Sequence, residues 1–436
     1  DRLEKAWLAR PDAASRAVAG VAAGGAPGLT GYADDAVALI DGGRRVALSV
    51  APGVVSLPGG GWVSRWAVTF AEAAARSVLA GRTAIIVLPD YRDQEQVAAV
   101  LAGLLPDDAI ARWDSRQPNP DRYRALLRAA EGPIAVLGNR SAVYAPAADL
   151  GLIAVWNDGD PLLGEPLSPY VHARDAALIR QEQQGGALLF AAHTRSTEVQ
   201  RLVEVGYLEE LAPVRVRRPR VIPTAATIAE DRLAAQARIP SLAWRTATDA
   251  LAEGPVLVQV ARPGFAPGLR CASCGEPARC RRCSGPLRQR RQGAPPTCTW
   301  CGAIEPSWRC AACGGVEVRT VGAGTRRTAD ELGRAFPGTR IIVSDGERPV
   351  TAVDARSALV IATRGAEPLA AGGYRAVLLL DGDRMVARET LRVGEDVLRW
   401  WSDAAGLVAD DGTVVLVGVG GALAKALATW RQADYA

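Results

Sequence analysis

The sequence predicts an α/β protein of two lobes, each built on a parallel sheet, with a small metal-binding module inserted in the second lobe. Three observations carry this. Short apolar runs bounded by glycine and proline alternate with helical stretches along most of the 436 residues, the pattern of buried parallel strands and their crossover helices. The alternation breaks at a Pro- and Arg-rich stretch over 210–245 and then resumes. All eight cysteines fall in one window, from Cys271 to Cys313.

Taken in order, residues 1–48 mix helical stretches with a Gly/Ala-rich run over 20–28 and read as a linker or a partial N-terminal region. The first lobe is expected over 49–209. In it, 62–79 is an alanine-rich helix, and 83–88 is an apolar run closed by Gly81 and Pro89, as a buried strand should be. Runs at 134–137, 150–156 and 187–191 supply three more strands, with helices at 121–130 and 173–184. The stretch 210–245 then serves as the inter-lobe linker to the second lobe, 246–436. There strands are expected at 255–260, 340–343, 358–362, 376–381 and 413–417, and helices at 328–336, 389–405 and 421–431. The cysteine module, 268–320, interrupts this lobe after its first strand. No internal repeat is visible.

The cysteines form four Cys-x-x-Cys pairs: Cys271/Cys274, Cys280/Cys283, Cys298/Cys301 and Cys310/Cys313. A two-residue gap lets both thiolates of one turn reach the same cation, and two such knuckles complete the tetrahedral sulfur shell of a structural Zn²⁺. Eight thiolates make two closed sites, so two zinc ions per chain are expected, with no open position for catalysis. Disulfides are the weaker reading, because oxidised frameworks belong to short secreted chains. Spacing leaves the pairing open: the knuckles could pair sequentially or in a nested fashion.

No apolar run approaches the length of a membrane span, and the start, Asp-Arg-Leu-Glu-Lys, carries no hydrophobic signal segment. A cytoplasmic, monomeric protein without a membrane partner is expected, and the missing initial methionine suggests a fragment or a processed chain. Net charge is +4, yet only Lys5 and Lys425 are lysine among 51 basic residues, leaving 49 arginines. That bias fits a GC-rich genome. It also leaves any mechanism that needs a lysine with two candidates.

Several motifs, in order, resemble those of the PriA family of replication-restart proteins. Leu88-Pro89-Asp90 is similar to the family's V-P-E, and the run 138–146, Gly-Asn-Arg-Ser-Ala-Val-Tyr-Ala-Pro, to its G-T-R-S-A-V-F-A-P. Leu150-Gly151-Leu152-Ile153 and the later Tyr170-Val171-His172-Ala173-Arg174-Asp175 resemble L-G-L-I and Y-H-A-R-D. In the second lobe the run 263–267 before Cys271 resembles R-G-Y-A-P. Gly322-Ala323-Gly324-Thr325, Glu331-Leu332 and Phe336-Pro337-Gly338 resemble G-x-G-T, E-L and F-P-G. The likeness covers roughly 60–430. It implies two RecA-like lobes and nested zinc pairing, with Cys271, Cys274, Cys310 and Cys313 on one ion and Cys280, Cys283, Cys298 and Cys301 on the other. It also implies forked or single-stranded DNA, primosome proteins and single-strand-binding protein as partners. Further family domains, a 3′-end-binding and a winged-helix domain before residue 1 and one more after 436, are expected with it.

The family generally runs on ATP, but three parts of that engine are missing here. A phosphate loop needs a lysine for the β/γ-phosphates and a Ser/Thr for Mg²⁺. The stretch after 46–50 reads Ala-Pro-Gly-Val-Val-Ser-Leu-Pro-Gly-Gly-Gly-Trp, and no lysine lies between Lys5 and Lys425. Gly59–Gly61 could still offer amides to an anion, and Arg65 is the nearest cation, but a guanidinium does not replace an ammonium there. The family's D-E-E-H acid segment is Trp156-Asn157-Asp158-Gly159, with Asp158 and Asp160 out of register. The arginine-finger region, 402–408, holds no arginine. ATP and Mg²⁺ are therefore not expected as cofactors, and the chain reads as a degenerate helicase. His172 and His193 are read as structural, and no catalytic residue is expected.

Around the cysteines arginine is dense. Arg279, Arg281, Arg282, Arg288, Arg290 and Arg291, with Trp300 and Trp308 among them, form the candidate DNA surface, since arginine interleaved with aromatics suits phosphate contact and base stacking. The segment 161–169, where the family has an aromatic-rich loop coupling DNA to ATP, has no aromatic before Tyr170. The leading expectation is a replication-restart protein that binds forked DNA without helicase activity. An active ATP-dependent 3′→5′ helicase and a zinc-stapled protein-interaction scaffold are the competing readings.

Overall fold

The computed structural model describes residues 26–113, 116–215, 218–225, 239–261, 268–289, 293–321, 325–387 and 390–430. Seven parallel strands build the first lobe: β1 (Arg45–Ser49), β2 (Thr83–Val87), β3 (Ile110–Trp113), β4 (Ala135–Gly138), β5 (Leu150–Trp156), β6 (Ala187–Ala192) and β7 (Glu209–Leu211). Their order is β3-β4-β2-β5-β6-β1-β7. Strands β2, β5 and β6 are buried along their whole length, because helices cover both faces of the sheet. One face packs on α1 (Arg65–Leu79) and α2 (Tyr91–Leu101), the other on α3 (Ala173–Gln184).

The second lobe repeats the principle with six parallel strands: β8 (Arg220–Pro223), β9 (Val256–Val260), β10 (Ile341–Ser344), β11 (Leu359–Thr363), β12 (Tyr374–Leu379) and β13 (Val408–Leu416), in the order β8-β13-β12-β9-β11-β10. Helices Ser241–Leu251 and Thr325–Ala335 belong to one face, α4 (Val393–Ala405) and α5 (Gly421–Thr429) to the other. Among the described residues no helix is long and apolar enough to cross a membrane.

Several boundaries differ from the sequence expectation. The first lobe starts well before residue 49. Leu29, Ala36 and Ile40 are buried in its core, Thr30 donates to both oxygens of Glu72 on α1, and β1 lies inside the sheet between β6 and β7. The stretch expected as a linker gives each lobe an edge strand, β7 to the first and β8 to the second. The module therefore follows β9, the lobe's second strand in chain order. The helix expected from residue 62 begins at Arg65, because Trp62–Ser64 pairs with Val54–Ser56 in an antiparallel hairpin. Gly60 and Gly61, at φ 91° and 86°, form its turn, a conformation that suits glycine. The exposed glycine run at this tip is spent on the turn, Gly60 N–H donating to the Leu57 carbonyl. Helix α2 and strand β3 were not anticipated; β3 is a half-buried edge strand with Arg112 inside it, so it lacks an apolar run. The helix expected over 389–405 starts at Val393, after a short helix at Gly382–Val386.

Candidate functional sites: a double thiolate cluster and the seam between the lobes

The module is closed at its base by Gly268–Cys271 pairing antiparallel with Val318–Val321. Its four knuckles share one turn. In each, the first cysteine's amide donates to the carbonyl five residues on, and its carbonyl accepts from the amide four residues on. The residue making that second bond is left-handed each time: Gly275, Ser284, Gly302 and Gly314. The sulfurs gather in two groups, Cys271, Cys274, Cys310 and Cys313, and Cys280, Cys283, Cys298 and Cys301, all within 4.8 Å of one another inside each group. The closest pairs are 3.5 Å (Cys271–Cys313), 3.5 Å (Cys274–Cys310), 3.4 Å (Cys283–Cys298) and 3.8 Å (Cys280–Cys301). Four sulfurs held about 2.3 Å from a central ion stand about 3.8 Å apart, so each group fits a tetrahedral metal. The amides of Arg282 and Trp300 point at the sulfurs of Cys280 and Cys298 at 3.4 Å, a donor that favours thiolate. The two four-cysteine clusters could thus hold two metal ions.

Of the candidate DNA residues, Arg279, Arg281, Arg282 and Arg288 are exposed, and Trp300 is 57% exposed, lying against Gly285. Arg281 also pairs with the buried Glu305 at 2.9 Å. Trp308 must be corrected: it is 4% exposed and its Nε1–H donates to the Arg279 carbonyl, so it is the module's core and not a stacking platform. A module this small needs a large apolar side chain inside, and sequence alone could not say which tryptophan it took. Arg290 and Arg291 lie outside the described residues. His172 caps α3, its Nδ1 accepting from the Arg174 amide.

The second site lies where the lobes meet, at the carboxyl ends of β1, β5 and β6. In an open α/β sheet this is where ligands bind. Trp156, at the end of β5, stacks on Trp66 with centroids 4.2 Å apart and planes at 8°. Phe70 meets it edge-on at 5.9 Å and His193 at 5.4 Å. His193 in turn touches Trp430 of the second lobe at 5.8 Å. Asp158 is buried with Ser196 N–H at 3.5 Å, and Asp160 caps the turn at Leu162. Arg65 pairs with Asp410 of the second lobe at 3.4 Å.

The segment 402–408 faces this cluster. Thr194 Oγ1–H donates to Ser402 Oγ at 2.7 Å, Asn157 Nδ2 donates to Asp403 Oδ2 at 3.0 Å, and Gly53 N–H donates to the Gly406 carbonyl at 2.7 Å. One residue here was missed from sequence. Arg399, one turn earlier on α4 and 1% exposed, presses on Gly159 of the first lobe while bonding Glu395 at 3.0 Å and Asp396 at 3.1 Å on its own helix. The acidic residues three and four positions before it were the available signal.

Burial raises the carboxyls at this seam: Asp93, Asp158, Asp160 and Glu367 all lie above their ordinary range, and Asp403 is pushed up to about 7. Arg399 opposes the rise of Asp403, while Asp160 and Glu367 add to it. A carboxyl that holds its proton more tightly when folded stabilises fully below its unfolded pKa, and that contribution is lost as pH rises through about 7. His193, held down to about 4 by burial, has the opposite sense, and its contribution is lost as pH falls from about 6.5 through 4. Melting temperature should therefore fall between pH 6 and pH 8. Asp403→Asn should flatten that slope by about 1 kcal/mol and be the more stable form at pH 8. An unchanged slope in thermal scans would count against a protonated Asp403.

Two parallel α/β lobes that meet at the carboxyl ends of the first lobe's strands, with a double tetrathiolate module inserted in the second, define the class. No protein-family model matches the chain. Over 363 residues, 81% of the chain, it is 45% identical to the "Probable replication restart protein PriA" of Mycobacterium bovis and of Mycobacterium tuberculosis, covering 55% of each. The Mycobacterium leprae protein of that name is 42% identical over 395 residues, with 87% of the chain and 60% of the relative covered. The chain is thus a relative of the PriA replication-restart proteins over most of its length, and it spans little more than half the length of these curated relatives. Among solved structures it is similar to RecG bound to a three-way DNA junction, with TM-score 0.42 and 10% identity, over 89% of this chain and 41% of that one.

Proposed function

We propose that the chain is the two-lobe and zinc-module portion of a cytoplasmic replication-restart protein, binding forked or single-stranded DNA as a platform for primosome assembly without turning over ATP. The observation that carries the reading is Trp156. The position where the family places its metal-binding acid holds a buried indole stacked on Trp66, inside an apolar cluster that cannot hold Mg²⁺. The lack of any lysine between Lys5 and Lys425 supports it. The two cysteine groups would each hold a structural zinc ion, and the exposed Arg279, Arg281, Arg282, Arg288 and Trp300 beside them would meet DNA.

Binding of the protein to a labelled fork, followed by fluorescence anisotropy across salt concentration, tests the DNA half. Affinity should fall steeply with salt, because arginine–phosphate contacts release counterions. Replacing Arg282 and Arg288 by serine should reduce the log–log salt slope by about 2. Trp300→Ala should weaken single-stranded forks by about 1–3 kcal/mol and leave blunt duplex nearly unchanged. Equal affinity at low and high salt would overturn the assignment of this surface.

A further inference from the structure

We infer that side chains packed across the seam between the lobes fasten them into one rigid body, so that neither their relative position nor DNA affinity responds to a nucleotide. The inference rests on the motorless reading above and adds to it how the lobes are regulated: by nothing that binds between them.

A cleft that opens and closes on a ligand needs space at the carboxyl ends of its strands, and polar groups there that find their partners in the ligand. The contacts here are of another kind. In the first lobe Trp66 stacks on Trp156 and His193 meets Trp156 edge-on, all buried, and Trp430 of the second lobe packs tilted against His193. Around this plug polar groups of the two lobes bond across the seam, Thr194 with Ser402, Asn157 with Asp403, and the Gly53 amide with the Gly406 carbonyl, while Asn157 Oδ1, Asp158 Oδ2 and Asp403 Oδ1 are buried without a partner. At the rim, Arg392 pairs with Glu198, and Arg92 donates to the Gly365 carbonyl. Burial pulls Glu198 upward, but Arg392 and Arg174 overrule it and hold the carboxyl down to about 2, so the rim pair stays charged over the working pH range.

Two glycines measure how closely the lobes approach. A Cβ on Gly159 would stand 2.2 Å from Arg399 Nη2, and one on Gly406 would stand 2.6 Å from His193 Nε2. Neither glycine has a positive φ. The backbone at both positions would therefore accept any residue, and only the contact with the opposite lobe requires glycine. Arg399 is tied to Glu395 and Asp396 of its own helix, and His193 is held between Trp156 and Trp430, which resists their moving aside. At the carboxyl ends of β5 and β6 the space is taken up by packed side chains of both lobes, and the cavity that remains between the lobes, about 330 Å³, lies to the side, against Val54, Trp62, Arg65, Arg375, Val408 and Asp410.

Single-molecule energy transfer tests this, with dyes on azide-bearing residues introduced at the exposed positions Ile179 and Arg356, so that the cysteines stay untouched. The wild type should show one narrow distance population, unchanged by millimolar ATP, ADP or a non-hydrolysable analogue, and fork affinity should change less than twofold with each. Gly159→Val and Gly406→Val, which alter neither sheet, should add a second, wider population while circular dichroism stays native. Two populations in the wild type, a nucleotide-dependent shift, or wedge variants with the wild-type distance would each overturn the inference. ATP hydrolysis with unmoved lobes would instead overturn the motorless reading and leave the rigid seam standing.

Discussion

Stripping metal from the cysteine module, or replacing Cys280 or Cys298 by serine, is expected to unfold the module and leave both lobes folded. Among the described residues its apolar core is eight buried ones, Leu269, Cys271, Ala278, Cys280, Leu287, Cys298, Trp308 and Cys310, of which half are cysteine. The inner hairpin, Leu287–Arg288 with Thr297–Cys298, is two residues to a strand. So small a core cannot offset the entropy of ordering about fifty residues. The two ions would have to supply the difference, and a structural Zn²⁺ contributes about 10–16 kcal/mol at neutral pH in comparable small sites. The lobes have cores of their own on both faces of their sheets, and among the described residues the module's stem is the strand pair Gly268–Cys271 with Val318–Val321. Metal analysis should give two equivalents, and X-ray absorption should give four sulfurs at about 2.3 Å with no nitrogen or oxygen. After chelation, proteolysis should cut within 268–320 while the melting transition of the lobes persists. Collapse of that transition would make the module integral to the second lobe.

ATP hydrolysis stimulated by forked DNA is expected to stay at background, and restoring a single acid by Trp156→Asp is expected not to raise it. Phosphoryl transfer depends on several charges acting together, and an arginine finger alone is worth about 10³–10⁵ in rate. With the loop lysine absent as well, one restored carboxylate has no partner lysine to work with. The substitution would also place a carboxylate among Trp66, Phe70 and His193, where burying an unpaired charge is costly, so a melting temperature well below wild type should accompany it. A phosphate-release assay on a fork checks the rate. Turnover clearly above background in the wild type would sink the motorless reading.

What was legible in the sequence follows from where the stabilising contacts lie. Strand β5 and helix α3 match expectation residue for residue, because a fully buried strand reads as an unbroken apolar run and α3 has a capping residue, His172, before it and Gly185 after it. The four knuckles were equally plain, since their chemistry is local. Contacts across the seam were not. Thr194 and Ser402 are 208 positions apart, and Arg399 looks like an ordinary helix residue until Gly159 is brought against it. Half-buried edge strands such as β3 and β7 lack the apolar run that reveals a central strand. Trp300 and Trp308 look alike in sequence, and only the packing of the module separates the surface ring from the core ring.

The nesting of the two sulfur groups also favours one order of assembly on entropic grounds. The group of Cys280, Cys283, Cys298 and Cys301 lies wholly inside the chain segment spanned by Cys271, Cys274, Cys310 and Cys313. Capture of an ion by the inner four closes a short loop, and the chain left between the outer knuckles is then already shortened. The outer closure therefore costs less entropy once the inner one is made. If ions are taken up stepwise, this entropy favours loading from the tip of the module to its base, like a drawstring tightened from the far end. In that order the pairing of Gly268–Cys271 with Val318–Val321, which ties the module to the second lobe, would close after the inner group.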